Sequence, residues 1–121
     1  IARGSALHQP KTFAYLFTRR VGEANVPATH SDDLPFVFGS LEQPSFMPHP
    51  AATPADRKLS ANVRQAWRRF AETGDPNGPG LTAWPQYNRA TDPYLEIGVP
   101  QRSGTAFRKP QLDVLEKFYS Q

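Results

Sequence analysis

The 121-residue chain carries 14 Lys and Arg against 11 Asp and Glu, a net charge of +3, and no cysteine. The missing cysteine excludes a disulfide framework and thiol catalysis. The bases, including the pairs Arg19-Arg20 and Arg68-Arg69, are scattered among acids without interleaved aromatics, so the footprint of a nucleic-acid-binding protein is absent. No apolar run approaches the roughly 18 residues of a membrane helix, and no signal-peptide pattern opens the chain. This leaves a soluble protein, cytoplasmic or secreted. At this length one domain is expected, and a first residue other than Met suggests a piece cut from a longer chain.

Taken in order, residues 1–7 read as the tail of a helix whose body lies upstream, stopped at Gln9-Pro10. Residues 11–19 form the strongest strand. Phe13, Tyr15 and Phe17 take one face and Ala14, Leu16 and Thr18 the other. Two mainly apolar faces suit an interior strand of an α/β sheet, although a sandwich-core strand shows the same pattern. Residues 21–31 are loop and carry His30. Residues 33–38 make a short helical turn, anchored by Leu34, Phe36, Val37 and Phe38. Residues 40–53, with three prolines, form an extended irregular connection.

The clearest helix is expected over Pro54–Thr73. Thr53 is its N-cap, Pro54 stands at the first helical position, and Asp56 makes a variant capping box. Leu59, Val63, Ala66, Trp67, Phe70 and Ala71 lie on one stripe, Trp67 reading as core, and Gly74 supplies the C-terminal stop. These apolar residues need a surface to cover. Asp75-Pro-Asn-Gly78 is a turn; it lacks the spacing and closing glutamate of a calcium loop. Trp84-Pro85 reads as an anchor. Residues 94–99 alternate, with Leu95, Ile97 and Val99 on one face, and residues 105–108 are expected to pair with them through a loop at 100–104. A last helix over 110–119 places Leu112, Leu115, Phe118 and Tyr119 on one side.

Candidate chemistry centres on Val26-Pro-Ala-Thr-His30-Ser-Asp-Asp-Leu-Pro-Phe-Val-Phe-Gly39. An imidazole titrates near pH ~6.5, so it takes and returns protons near neutrality. A loop directly after a strand is also where ligand sites of open α/β sheets lie. On these residues alone, His30 reads better as a loop histidine bonded to nearby carboxylates than as a catalytic group. His8 and His49 lack any motif and read as surface residues. The three histidines show no metal-ligand spacing such as His-x-x-x-His, and no cofactor motif is present. A metallohydrolase built from His30, Asp32 and Asp33 is a weaker reading.

The histidine stretch resembles, over residues 22–39, the corresponding segment of the type B carboxylesterase/lipase family, the cholinesterase-like α/β-hydrolases. Ala55-Asp-Arg-Lys-Leu-Ser, Trp67-Arg-Arg-Phe-Ala-Glu-Thr-Gly-Asp-Pro-Asn77-Gly, Trp84-Pro-Gln-Tyr87, Tyr94-Leu-Glu-Ile97 and Leu112-Asp113 resemble that family's C-terminal region in the same order. The resemblance implies an α/β fold, with residues 1–121 a single partial domain: one interior strand, a long helix, a small strand pair and a C-terminal helix. It assigns His30 the general acid–base role of a Ser-His-Glu/Asp triad and puts the acid upstream, which argues against Asp32 or Asp33 in that role. Asp33 then reads either as a residue that steadies the histidine loop or as a solvated carboxylate.

None of the seven serines stands in a Gly-x-Ser-x-Gly elbow, and no glycine-rich oxyanion loop is visible. The expectation is therefore one third of a triad, acting on a small-molecule ester only with the N-terminal remainder of the hydrolase. The isolated chain is expected to be inactive and to form a homodimer through its uncovered strand and helix surfaces. The competing reading is a non-catalytic interaction module derived from the same fold.

Overall fold

A computed structural model describes residues 5, 6, 8, 9, 11–44 and 48–119; the helix tail expected over 1–7 falls mostly outside them. In chain order the elements are β1 (Tyr15–Phe17), α1 (Leu34–Phe38), α2 (Pro54–Thr73), β2 (Pro93–Ile97), β3 (Arg102–Thr105) and α3 (Lys109–Tyr119). The sheet order is β1-β2-β3. β1 runs parallel to β2 with Tyr15 opposite Leu95 and Phe17 opposite Ile97. A parallel pair needs a long crossover, and the segment carrying α1 and α2 provides it.

α2 has the predicted limits. The Thr53 hydroxyl accepts from the Asp56 backbone N–H (3.2 Å), and the Asp56 carboxylate accepts from the Thr53 backbone N–H (2.8 Å), so both halves of the capping box form. At the other end Gly74, at φ 75°, donates its N–H to the Phe70 carbonyl. Leu59, Val63 and Ala66 are buried with Phe36, Leu41, Leu95 and Ile97. The stripe is narrower than expected: Phe70 is 44% exposed, Trp67 is half-buried and Ala71 is exposed. Fully burying a large apolar side chain contributes ~1.5–3 kcal/mol. Leu59 and Val63 alone reach that state among the helix's large residues, so its own stripe contributes about 3–6 kcal/mol.

β1 is shorter than residues 11–19. Phe13 makes an isolated bridge to Gln86, and Thr18 donates its N–H to the Ile97 carbonyl (3.0 Å). Among the described residues β1 has one neighbour, β2, and occupies the edge of the sheet; an interior place requires a second strand from outside the chain. The strand pair also differs from expectation. β3 is Arg102–Thr105, antiparallel to β2 with Leu95 opposite Ser103, rather than 105–108. Ala106 (φ 55°) and Arg108 (φ 46°) leave the extended region, so the strand cannot continue there. Gly104, which reads as a loop residue, is instead in the strand, paired opposite Tyr94, whose ring lies 2.6 Å from where a Cβ would stand. Val99, expected to share a face with Leu95 and Ile97, lies beyond β2 and is 49% exposed.

Candidate active site

β1 leads directly into the site. Past its end the chain turns back at residues 20–23, where the Glu23 N–H bonds to the Arg20 carbonyl (3.2 Å). Gly22 is required here: its φ is 73°, and a Cβ would fall 2.7 Å from Pro50 Cβ and 2.8 Å from the Ala51 carbonyl oxygen. Residues 24–27 are exposed, and the loop then delivers His30 to the surface. Ser31 follows in the left-handed region at φ 71°, and the Leu34 N–H closes on its carbonyl (3.1 Å). The imidazole is exposed and makes no hydrogen bond to another described residue.

The two acids after His30 are both engaged, and neither holds the imidazole. Asp32 Oδ2 accepts from the Thr29 N–H (2.6 Å) and the Thr29 hydroxyl (2.9 Å), and Arg20 Nε lies 3.3 Å away. Asp33 Oδ2 accepts from the Tyr15 hydroxyl at 3.2 Å. Burial first, and then the Asp33 charge, raise the Tyr15 pKa above the ordinary tyrosine value. With the two carboxylates turned to separate partners, His30, Asp32 and Asp33 do not gather into a metal-binding group; among the described residues no three such ligands do. His49 is half-buried with Nδ1 2.9 Å from the Pro50 carbonyl, and His8 is exposed.

The loop's far end is held by α1. Phe36 is fully buried and meets the Phe17 ring edge-on at 5.2 Å. Its carbonyl accepts from the buried Ser60 hydroxyl of α2 (2.8 Å). Gly39, at φ 69°, ends α1 under the Arg64 side chain. Leu34 and Phe38, expected as anchors, are 47% and 74% exposed. A single helical turn on the surface offers one inward face, and Phe36 takes it.

Sequence reasoning read the Arg19-Arg20 pair as surface charge and missed what it builds. Adjacent residues of an extended chain point to opposite sides. Arg19 turns inward and is buried with Asp56, Nε to Oδ1 at 2.6 Å. The other Asp56 oxygen accepts from the Gly22 N–H (3.0 Å) and the Thr53 hydroxyl (2.8 Å). Burial by itself would raise the Asp56 pKa; the bonds from Arg19, Thr53 and Gly22 outweigh it and hold the carboxyl at about 2. The sequence signal was a charged pair ending an apolar strand, where one of the two must enter the core.

On the other side of Tyr15, Phe13, Trp67, Phe70 and Trp84 line a cavity of about 200 Å3. Trp84 is buried and donates its indole N–H to the Ala14 carbonyl (2.8 Å), as suits an anchor.

This backbone is found in solved α/β-hydrolase esterases. A thermophilic PNB esterase aligns with a TM-score of 0.72 and 25% identity over 82% of this chain and 20% of its own. A carboxylesterase of Geobacillus stearothermophilus aligns at 0.64 with 30% identity, over 77% of this chain and 19% of its own. The fold is thus part of an α/β-hydrolase.

The family model described as the carboxylesterase family matches residues 1–115, and the chain belongs to that family. It is 38% identical to Carboxylesterase 3B of Mus musculus over 108 residues, which are 87% of this chain and 18% of that protein. It is 38% identical to human Carboxylesterase 3 over 105 residues, 84% of this chain and 17% of that one. The chain therefore spans less than a fifth of the length of these relatives. Among its described residues no helix is long and apolar enough to cross a membrane.

Proposed function

We propose that this chain is the C-terminal part of a serine carboxylic-ester hydrolase and supplies its general acid–base residue, His30. The observation that carries this reading is an exposed imidazole, unbonded to any described residue, on a braced loop just past the end of a parallel strand, in a chain of the carboxylesterase family. In this reading His30 takes the proton of a serine nucleophile and returns it to the leaving alcohol. The serine, the oxyanion donors and the triad acid come from the N-terminal remainder of the enzyme, since the chain has no Gly-x-Ser-x-Gly. The substrate class is a small-molecule carboxylic ester. Asp33, through Tyr15, steadies the loop from the strand side. Alone, the chain lacks a nucleophile and pairs with a second copy.

The test is His30→Ala in the intact enzyme. A fall in kcat of ~10³ or more is expected, because triad members act as a unit. Near-normal turnover with unchanged folding would leave the non-catalytic interaction module as the better description.

A further inference from the structure

We infer that Asp56, on α2 and away from the imidazole, is a positioning residue for His30 and acts through Arg20 and Asp32. This rests on the reading of His30 as the acid–base residue.

The α2 cap needs from Asp56 only its bond back to Thr53. The carboxylate does more: Arg19 Nε and the Gly22 N–H also bond to it, at 2.6 and 3.0 Å. Those two donors flank Arg20. One fully buried carboxylate therefore holds the Arg19 side chain on one side of Arg20 and the Gly22 backbone N–H on the other, in a place where no rearrangement can leave the charges unpaired without a large penalty.

Held in this way, the Arg20 side chain has a set direction. Its Nε reaches Asp32 Oδ2 at 3.3 Å, with Glu23 as its other partner at 3.4 Å. The same Asp32 oxygen holds the backbone N–H and hydroxyl of Thr29, the residue before His30. The residue after it, Ser31, is fixed at φ 71° and bonded through its carbonyl to Leu34. Asp32 would keep Thr29 without Arg20, but the loop tip would then move as a unit relative to the strand. The contact between Arg20 and Asp32 ties the tip to the strand end, and Asp56 ties the strand end to α2. Two carboxylates and two arginines thus form a relay from a helix N-terminus to the general base.

A purely structural Asp56 would alter stability and the fraction of folded enzyme, not the rate of each folded site. The intact enzyme is therefore compared with its Arg20→Gln, Asp56→Asn and doubly substituted forms, with active sites counted by fluorophosphonate labelling run to completion. The expected result is a roughly 10- to 100-fold loss of kcat per counted site, the scale of a small misplacement of a catalytic group, with KM nearly unchanged. The double variant should lose no more than the worse single one, since both substitutions break one connection. Should Asp56→Asn fail to fold, Arg20→Gln, which leaves the buried pair intact, decides alone. Wild-type kcat per site in Arg20→Gln, or losses that multiply in the double variant, would overturn the relay. His30→Ala separates the two levels: if it retains turnover the reading of His30 fails, whereas an inactive His30→Ala beside a normal Arg20→Gln rejects the relay alone.

Discussion

The two arms that leave the sheet are built in opposite ways. The arm after β1 is polar and irregular, yet it is held at its start by Asp56, in its middle by Asp32 and at its end by the burial of Phe36. The arm after β2 has ordinary secondary structure, a strand followed by an 11-residue helix, yet α3 buries none of its residues within the chain. Leu115 is 52% exposed and Phe118 73%. Regular structure is thus no guide to which arm this chain can hold by itself. Local hydrogen bonds make a helix, but its place is fixed by the surface it covers. An irregular loop is fixed when charged groups and one buried aromatic give it partners at several points.

The sharpest break between the two arms is functional. The isolated chain, which has the His30 arm but no Gly-x-Ser-x-Gly elbow, should show no saturable turnover of p-nitrophenyl esters and no labelling by a fluorophosphonate. Covalent labelling together with saturation kinetics would contradict this.

The next effect is on stability. Phe36→Ala should destabilise the folded protein by about 3–5 kcal/mol, the usual cost of emptying a buried aromatic site, as read by denaturant unfolding. A loss near that of an exposed position would mean that α1 is not held by this ring.

Acid offers a finer probe. The Asp56 pKa of about 2 lies below its unfolded value of 3.8. The folded state therefore binds this proton less readily, and the group stabilises it fully above about pH 5. The contribution, about 2 kcal/mol for a shift of this size, is lost as pH falls toward 2 and below. Wild-type protein should lose it over that range and Asp56→Asn should not; equal acid sensitivity of the two would reject the assignment.

The smallest effect belongs to the other arm. Phe118→Ser should change the stability of the isolated chain by no more than about 0.5 kcal/mol, as for surface positions generally. It should nevertheless weaken self-association in sedimentation equilibrium, since exposed apolar surface and the edge of β1 that has no strand partner among the described residues are what a second copy would cover. A monomeric parent chain at micromolar concentration would remove the need for such a partner.

Elements whose signals are local were legible in the sequence. Thr53, Pro54, Asp56 and Gly74 mark the ends of α2 because caps are made by residues within one turn of the helix end. The loop carrying His30 and the short turn behind it follow from proline placement and a compact apolar run, and the family resemblance singled out the histidine itself. Tertiary structure decided what depends on residues far apart in sequence. Arg19 and Asp56 are 37 positions apart, and nothing local distinguishes the buried arginine of the pair from the surface one. The bounds of β3 depend on its pairing with β2, which sets Gly104 opposite Tyr94 and so makes a loop-like glycine a strand residue. Periodicity showed which residues of α2 and α3 could be buried. Only the packing of Phe36, Leu95 and Ile97 with α2, and the lack of any such cover over α3 among the described residues, decided which of them are.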